Sequence, residues 1–228
     1  YQASRWPHEP VSFKGQRVGI IGTGSSGIQS IPVIAAEAEH LTVFQRTPNF
    51  SVPAKNSSLD NAWVAAFKAN YAAHRHNHRI GNDSGFGDLD IEPKATVEAP
   101  TLFDEVTESE AHVLLEAAWQ RGGARFMAAI GDTMMNQTAN DYAQKFIHNK
   151  IRSIVHDPET AEALCPTSHP VGTRRICVDI DYFETYNKSN VRLLNVAKDP
   201  IIRVTESGVQ TESEHVSLDT LVLATGFD

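Results

Sequence analysis

Apolar positions along the chain change their period four times, between strand-like and helical spacing. Residues 17–21 are a short, mostly apolar run of the buried-strand kind, followed at once by a glycine-rich stretch and then by Ile28, Ile31, Ile34 and Ala35 at helical spacing. Residues 41–45 form a second apolar run. Strand, helix and strand in this order predict a β-α-β unit, two parallel strands joined by a right-handed crossover. From about residue 55 to 165 the period turns helical, with Trp63, Phe67, Asn70 and Tyr71, then Val113, Leu114, Ala117 and Ala118, then Tyr142, Phe146 and Ile147. Within it, residues 80–100 carry Gly81, Gly85, Gly87, Pro93 and many acids without any period, which predicts a long loop. Strand signals return at 191–194, 201–204, 208–211 and 221–223, the middle pair joined by Glu206-Ser207-Gly208 as a hairpin turn, so the sheet is completed from both ends of the chain. Residues 1–15, with Trp6-Pro7-His8-Glu9-Pro10 and Lys14-Gly15, predict an extended linker.

Composition narrows the classes. The 41% hydrophobic content over 228 residues is enough to bury a core, and a net charge of −8 leaves no basic surplus to displace counterions, so nucleic acid is not an expected partner. No apolar run reaches the roughly 20 residues needed to cross a bilayer, so no membrane is expected either. Cys165 and Cys177 lack C-x-x-C spacing and are too few for a disulfide framework, which predicts reduced thiols and a cytoplasmic protein. The chain opens on Tyr1 and closes on Ala224-Thr225-Gly226-Phe227-Asp228, and both ends read as cuts within a longer protein.

Gly22-Thr23-Gly24-Ser25-Ser26-Gly27 matches G-x-G-x-x-G, and the match gains weight because it follows a predicted strand and opens a predicted helix. There Gly22 permits a tight turn, Gly24 lets a pyrophosphate approach the backbone, Gly27 allows helix to pack on strand, and the helix start offers N–H groups to the anion. A glycine-rich turn without a ligand is the alternative. The second strand ends in Gln45-Arg46-Thr47-Pro48, where a unit that binds NAD or FAD would carry an Asp or Glu for the ribose 2'-hydroxyl. Arg46 can instead pair with a 2'-phosphate and Thr47 can add a hydrogen bond, which favours NADP(H); an arginine that only caps the strand fits the same position. Gly172-Thr173-Arg174-Arg175 sets two guanidinium groups side by side after a loop bounded by Pro166 and Pro170. Neighbours on an extended segment point opposite ways, so one can hold the phosphate while the other faces a reacting centre, although two solvated arginines fit the spacing equally. His74, His76 and His78 lack a carboxylate or cysteine at ligand spacing, so they read as a solvated helix end and no metal is expected.

These pieces together resemble the class B flavoprotein monooxygenases, and within them the Baeyer-Villiger monooxygenases such as those acting on cyclohexanone and phenylacetone. The resemblance spans the chain and rests on Trp6-Pro7-His8-Glu9-Pro10, Gly22 to Gly27 with Ile28-Gln29, Phe44-Gln45-Arg46-Thr47-Pro48-Asn49-Phe50, Gly172-Thr173-Arg174-Arg175, Asp181-Tyr182-Phe183-Glu184 and 221–228. The family fingerprint F-x-G-x-x-x-H-x-x-x-W-P is represented by its tail, with Gln2 at the histidine position.

The resemblance implies an α/β fold, a Rossmann-like doubly wound NADP-binding domain with a helical insertion. Residues 1–15 would be the linker from an FAD domain of the same polypeptide, 16–54 the first part of the NADP-binding domain, 55–165 the insertion and 166–228 the remainder. It implies that NADPH reduces FAD, that the reduced flavin takes up O2, and that a flavin peroxide attacks a ketone to give an ester or lactone. Gly22, Thr23, Gly24, Ser25, Ser26, Gly27 and Gln29 match the coenzyme turn, and Arg46, Thr47 and Arg174 match the 2'-phosphate contacts. Arg175 matches the arginine that steadies the peroxide and nicotinamide, and Ala224-Thr225-Gly226 the segment crossing back to the flavin domain. Two rivals remain: an N- or S-oxygenating relative, against which the Arg174-Arg175 pair and Trp6-Pro7 stand, and an NADP-binding module without catalysis.

Overall fold

A computed structural model describes residues 1–56, 58–80 and 101–226. The strand β1 (Arg17–Ile21) leads through the glycine turn into helix α1 (Ser25–Glu37) and on to β2 (His40–Gln45), with β1 and β2 parallel and Val18 opposite Leu41, Ile20 opposite Val43. The apolar spacing read from the sequence is what α1 buries: Ile28, Ile31, Ile34 and Ala35. Each buried isoleucine contributes about 1.5–3 kcal/mol, so this face seats the helix on the sheet.

After the short β3 (Ser51–Pro53) come α2 (Asn61–Ala69), α3 (Tyr71–Ile80), α4 (Glu108–Arg121), α5 (Gln137–Ile154) and α6 (Pro158–Leu164). Side-chain caps set their starts. Asp60 accepts from the Trp63 N–H, Thr107 and Glu110 cap each other's backbone, Asn136 accepts from Thr138 and Ala139, and Asp157 precedes Pro158 and accepts from Thr160. The remainder is β4 (Cys177–Asp179), α7 (Tyr182–Thr185), β5 (Val191–Asn195), β6 (Ile201–Thr205), β7 (Gly208–Thr211), β8 (His215–Ser217) and β9 (Thr220–Leu223).

The central sheet is parallel throughout, in the order β5-β2-β1-β9, so the chain's two ends do complete it. Its two faces separate along each strand. Val18, Ile20, Leu41, Val43 and Val222 turn toward α1 and a buried cluster that continues into α4 and α5, while Phe44, Leu194 and the partly buried Ile21 and Leu221 turn the other way.

That second face differs from expectation. The predicted hairpin forms, but β6 and β7 join β8, which the sequence did not signal, in an antiparallel sheet of their own, and Val209, Val216 and Leu218 pack on the parallel sheet. Three more elements were unforeseen: β3 pairs in parallel with β4, and α7 follows β4. Residues 1–15 are also more than an extended run. Ala3–Arg5 forms a 3-10 turn, Gln2 bridges Leu223, Lys14 bridges Ala38, and Phe13 is buried. The outer edge of β9 carries unpaired backbone groups that Tyr1 satisfies: its amino terminus donates to the Leu221 carbonyl and its carbonyl accepts from Leu223 N–H, both at 2.8 Å. The predicted loop falls, after Ile80, on residues 81–100, outside the described residues, as are Phe227 and Asp228.

Candidate functional site

Two glycines of the turn are there because their neighbours leave no room. Gly22 has φ +108°, and a β-carbon on it would run into the Ala224 carbonyl oxygen, as one on Gly27 would run into the Gly22 carbonyl oxygen. Gly24 is the opposite: nothing lies within 4 Å of the position its β-carbon would take, so the backbone there is open to approach from outside. Ser25 and Ser26 are exposed on the first turn of α1, which contains no acidic side chain to compete for its N–H groups. Thr23 is buried, and its hydroxyl donates to the Thr47 carbonyl at 3.1 Å, tying the turn to the loop after β2.

In that loop Gln45 is buried, with its amide donating to the Ala163 carbonyl at 2.7 Å, so the position where an acid was absent from the sequence is turned inward to α6. Arg46 is exposed and Thr47 half-buried. Asn49 donates to the Cys177 sulfur at 3.1 Å and accepts from the Phe50 N–H at 3.0 Å. Because β3 and β4 are parallel with Ser51 opposite Cys177, the loops entering them, 46–50 and 172–176, lie at the same end of the pair. The structure thereby places the two predicted arginine loops side by side.

The third segment departs from its expected geometry. Residues 171–174 form a turn and bend, closed by the Thr173 hydroxyl donating to the Pro170 carbonyl at 2.9 Å, with Gly172 at φ +88°. The alternation argument for Arg174 and Arg175 required an extended strand and does not apply here. Both side chains are exposed. Arg46, Arg174 and Arg175 make no ion pair among the described residues. Gln29 is exposed on α1 and reaches the Val178 carbonyl at a long 3.5 Å. Ala224 is buried beside Gly22, its N–H donating to the Ile21 carbonyl at 2.8 Å, while Thr225 and Gly226 are exposed.

The sequence did not single out the groups that hold these loops. Asp179 is buried, accepts from the Ser51 hydroxyl and from the Tyr182 N–H, and burial raises its carboxyl to about 6. It joins β3, β4 and the start of α7. His169 precedes the arginines; burial and the nearby Arg174 charge lower its pKa, and its Nε2 is a buried atom without a partner among the described residues. Both cysteines are free and buried, and burial pushes the Cys165 thiol to about 11 and raises that of Cys177. On α3, His74 stacks on Phe67 with ring centres 4.6 Å apart; the side chain of His78 lies outside the described residues. Among the described residues no three His, Cys, Asp or Glu side chains gather as a metal site, and no helix is long and apolar enough to cross a membrane.

A parallel sheet in the order β5-β2-β1-β9, with a G-x-G-x-x-G turn between its first strand and helix, defines a Rossmann-like α/β protein. No protein-family model matches the chain. It is 42% identical to cyclohexanone 1,2-monooxygenase of Acinetobacter sp. over 231 residues, which is 100% of this chain and 40% of that protein. It is also 41% identical to a Baeyer-Villiger monooxygenase of Pseudooceanicola batsensis, with 98% of this chain and 39% of the relative covered. A phenazine N-monooxygenase of Lysobacter antibioticus is 41% identical over 98% of the chain and 40% of its own length. Among solved structures, oxidized steroid monooxygenase bound to NADP matches with TM-score 0.88 and 46% identity, and OTEMO in complex with FAD and NADP with TM-score 0.90 and 34% identity. Each match covers the whole of this chain and 42% of the other. The chain is homologous from end to end to the Baeyer-Villiger monooxygenases and spans about 40% of the length of the curated relatives it matches.

Proposed function

We propose that this chain is the NADPH-binding portion of an FAD-dependent Baeyer-Villiger monooxygenase that converts ketones to esters or lactones with O2. The observation that carries the reading is the open backbone at Gly24 beside a strand end that offers Arg46 and Thr47 instead of a carboxylate. The residues fit the coenzyme. The first turn of α1 meets the pyrophosphate with backbone N–H groups, Gly22 to Gly27 and Gln29 line it, and Arg46, Thr47 and Arg174 hold the 2'-phosphate. Arg175 faces the reacting end, and Ala224-Thr225-Gly226 lead toward the flavin. When bound, the coenzyme and flavin together supply the reducing equivalents and the oxygen activation. In this reading residues 1–15 link to the FAD-binding part, 16–54 and 166–228 form the NADP domain, 55–165 are its insertion, and the protein works in the cytoplasm.

Calorimetric titration of the chain with NADP+ and NAD+ tests the coenzyme assignment: tighter binding of NADP+ is expected, and equal affinities would sink it. The similarity to a phenazine N-monooxygenase favours one second reading, oxygenation at nitrogen. In a longer protein containing this chain and an FAD site, ketone-dependent consumption of NADPH with an ester product supports the first reading, and an N-oxide product the second.

A further inference from the structure

Helix α5 carries two buried polar side chains, Asn140 and His148, eight residues apart and therefore about two turns apart on one face. Both reach the same loop. The Asn140 amide donates to the Val171 carbonyl and to the Thr133 carbonyl, each at 2.9 Å, and its oxygen accepts from the Val171 N–H at 3.0 Å. His148 Nε2 donates to the Pro166 carbonyl at 2.8 Å, since a carbonyl oxygen can only accept. Residues 166–171 are thus held at both ends, and Gly172 to Arg175 begin one residue beyond the Asn140 anchor. The side of Gly172 where a β-carbon would stand is filled by Met134 and Met127, and the Met134 turn is the one Asn140 fixes through Thr133. Phe50, four residues after Arg46, stacks on His148 with rings 6.0 Å apart and meets His169 edge-on at 5.4 Å. One assembly on α5 therefore backs both arginine loops.

We infer that Asn140 is a positioning residue that sets where Arg174 meets the 2'-phosphate, and so makes α5 a determinant of coenzyme preference. The inference rests on the NADPH reading above. Asn140 is suited to the task because it satisfies both backbone groups of Val171, which no strand partner does. Removing it takes the partner from the Val171 N–H and from the Val171 and Thr133 carbonyls, and the backbone must move to find new ones, carrying Arg174 with it. A purely structural asparagine would lower stability and leave the choice between coenzymes unchanged.

The test is titration of this chain with NADP+ and NAD+ in the unmodified form, in Asn140→Ala, in Asn140→Ser, in Arg174→Ala and in the Asn140→Ser/Arg174→Ala double variant. The serine keeps a hydroxyl but has one donor instead of two, so it is the milder change. Each Asn140 variant should bind NADP+ about tenfold more weakly and NAD+ within about twofold of the unmodified chain, and its effect should vanish in the Arg174→Ala background. An unchanged NADP+/NAD+ ratio in a folded Asn140 variant overturns the inference, as do losses that multiply in the double variant. Failure of both variants to fold also overturns it, assigning Asn140 to the core alone. If the unmodified chain binds both coenzymes equally, the NADPH reading itself has failed, and this inference falls with it.

Discussion

Gly27 is where a single methyl group has a defined consequence. Its added β-carbon would meet the Gly22 carbonyl oxygen, a backbone atom that cannot swing aside. Gly27→Ala should therefore lower stability by about 1–3 kcal/mol, the usual cost of overpacking, and more than Gly24→Ala, whose new methyl enters open space in the folded chain and should instead weaken NADP+ binding by standing where the pyrophosphate approaches. Thermal melts and calorimetry on the two variants check the order. Arg46→Ala removes an exposed group worth about 1.5–3 kcal/mol as a charge-assisted contact, roughly ten- to a hundredfold in affinity. The loss should appear for NADP+ and not for NAD+. The glycine and arginine positions were legible in the sequence because turn chemistry and strand ends are local. Asn140 was not, since its partner Val171 stands 31 residues away and nothing local marks the pair.

At the scale of elements, the carboxyl buried between β3, β4 and α7 predicts a pH dependence. Burial raises Asp179 from the usual 3.8 to about 6, so the folded chain holds this proton more tightly than the unfolded chain does. Stability from this group is fully present below about 4 and falls as pH rises toward about 6, a change of about 3 kcal/mol. Asp179→Asn keeps an acceptor for the Tyr182 N–H without the charge. That variant should melt above the unmodified chain at pH 7 and lose its advantage near pH 4; parallel melting curves at both pH values would remove Asp179 as the cause. Long elements with a clear period, β1, α1, β2 and α5, were readable from the sequence. The three-residue strands β3, β4 and β8 were not, because a run that short has no period and exists only through its pairing partner.

Across the whole molecule, the parallel sheet, the glycine turn and the arginine loops all lie within the chain. We expect it to fold alone and to bind NADP+ through the adenine end, more weakly than a protein that also holds the flavin. It should show no ketone-dependent oxidation of NADPH, with or without added FAD. Turnover with FAD would show that the chain carries a flavin site of its own, and a molten near-ultraviolet spectrum would show that the core requires another part of the protein.

By itself the sequence determined the β-α-β unit, the glycine turn between β1 and α1 and the absence of a carboxylate after β2, because each follows from periodicity or steric need over a few residues. Tertiary structure alone decided the rest. That β9 lies beside β1, that the hairpin leaves the main sheet to cover its second face, and that α5 reaches Val171 and Pro166 all join residues far apart in the chain. Such contacts form only when the buried faces of several elements are satisfied at once, and no local stretch encodes that sum.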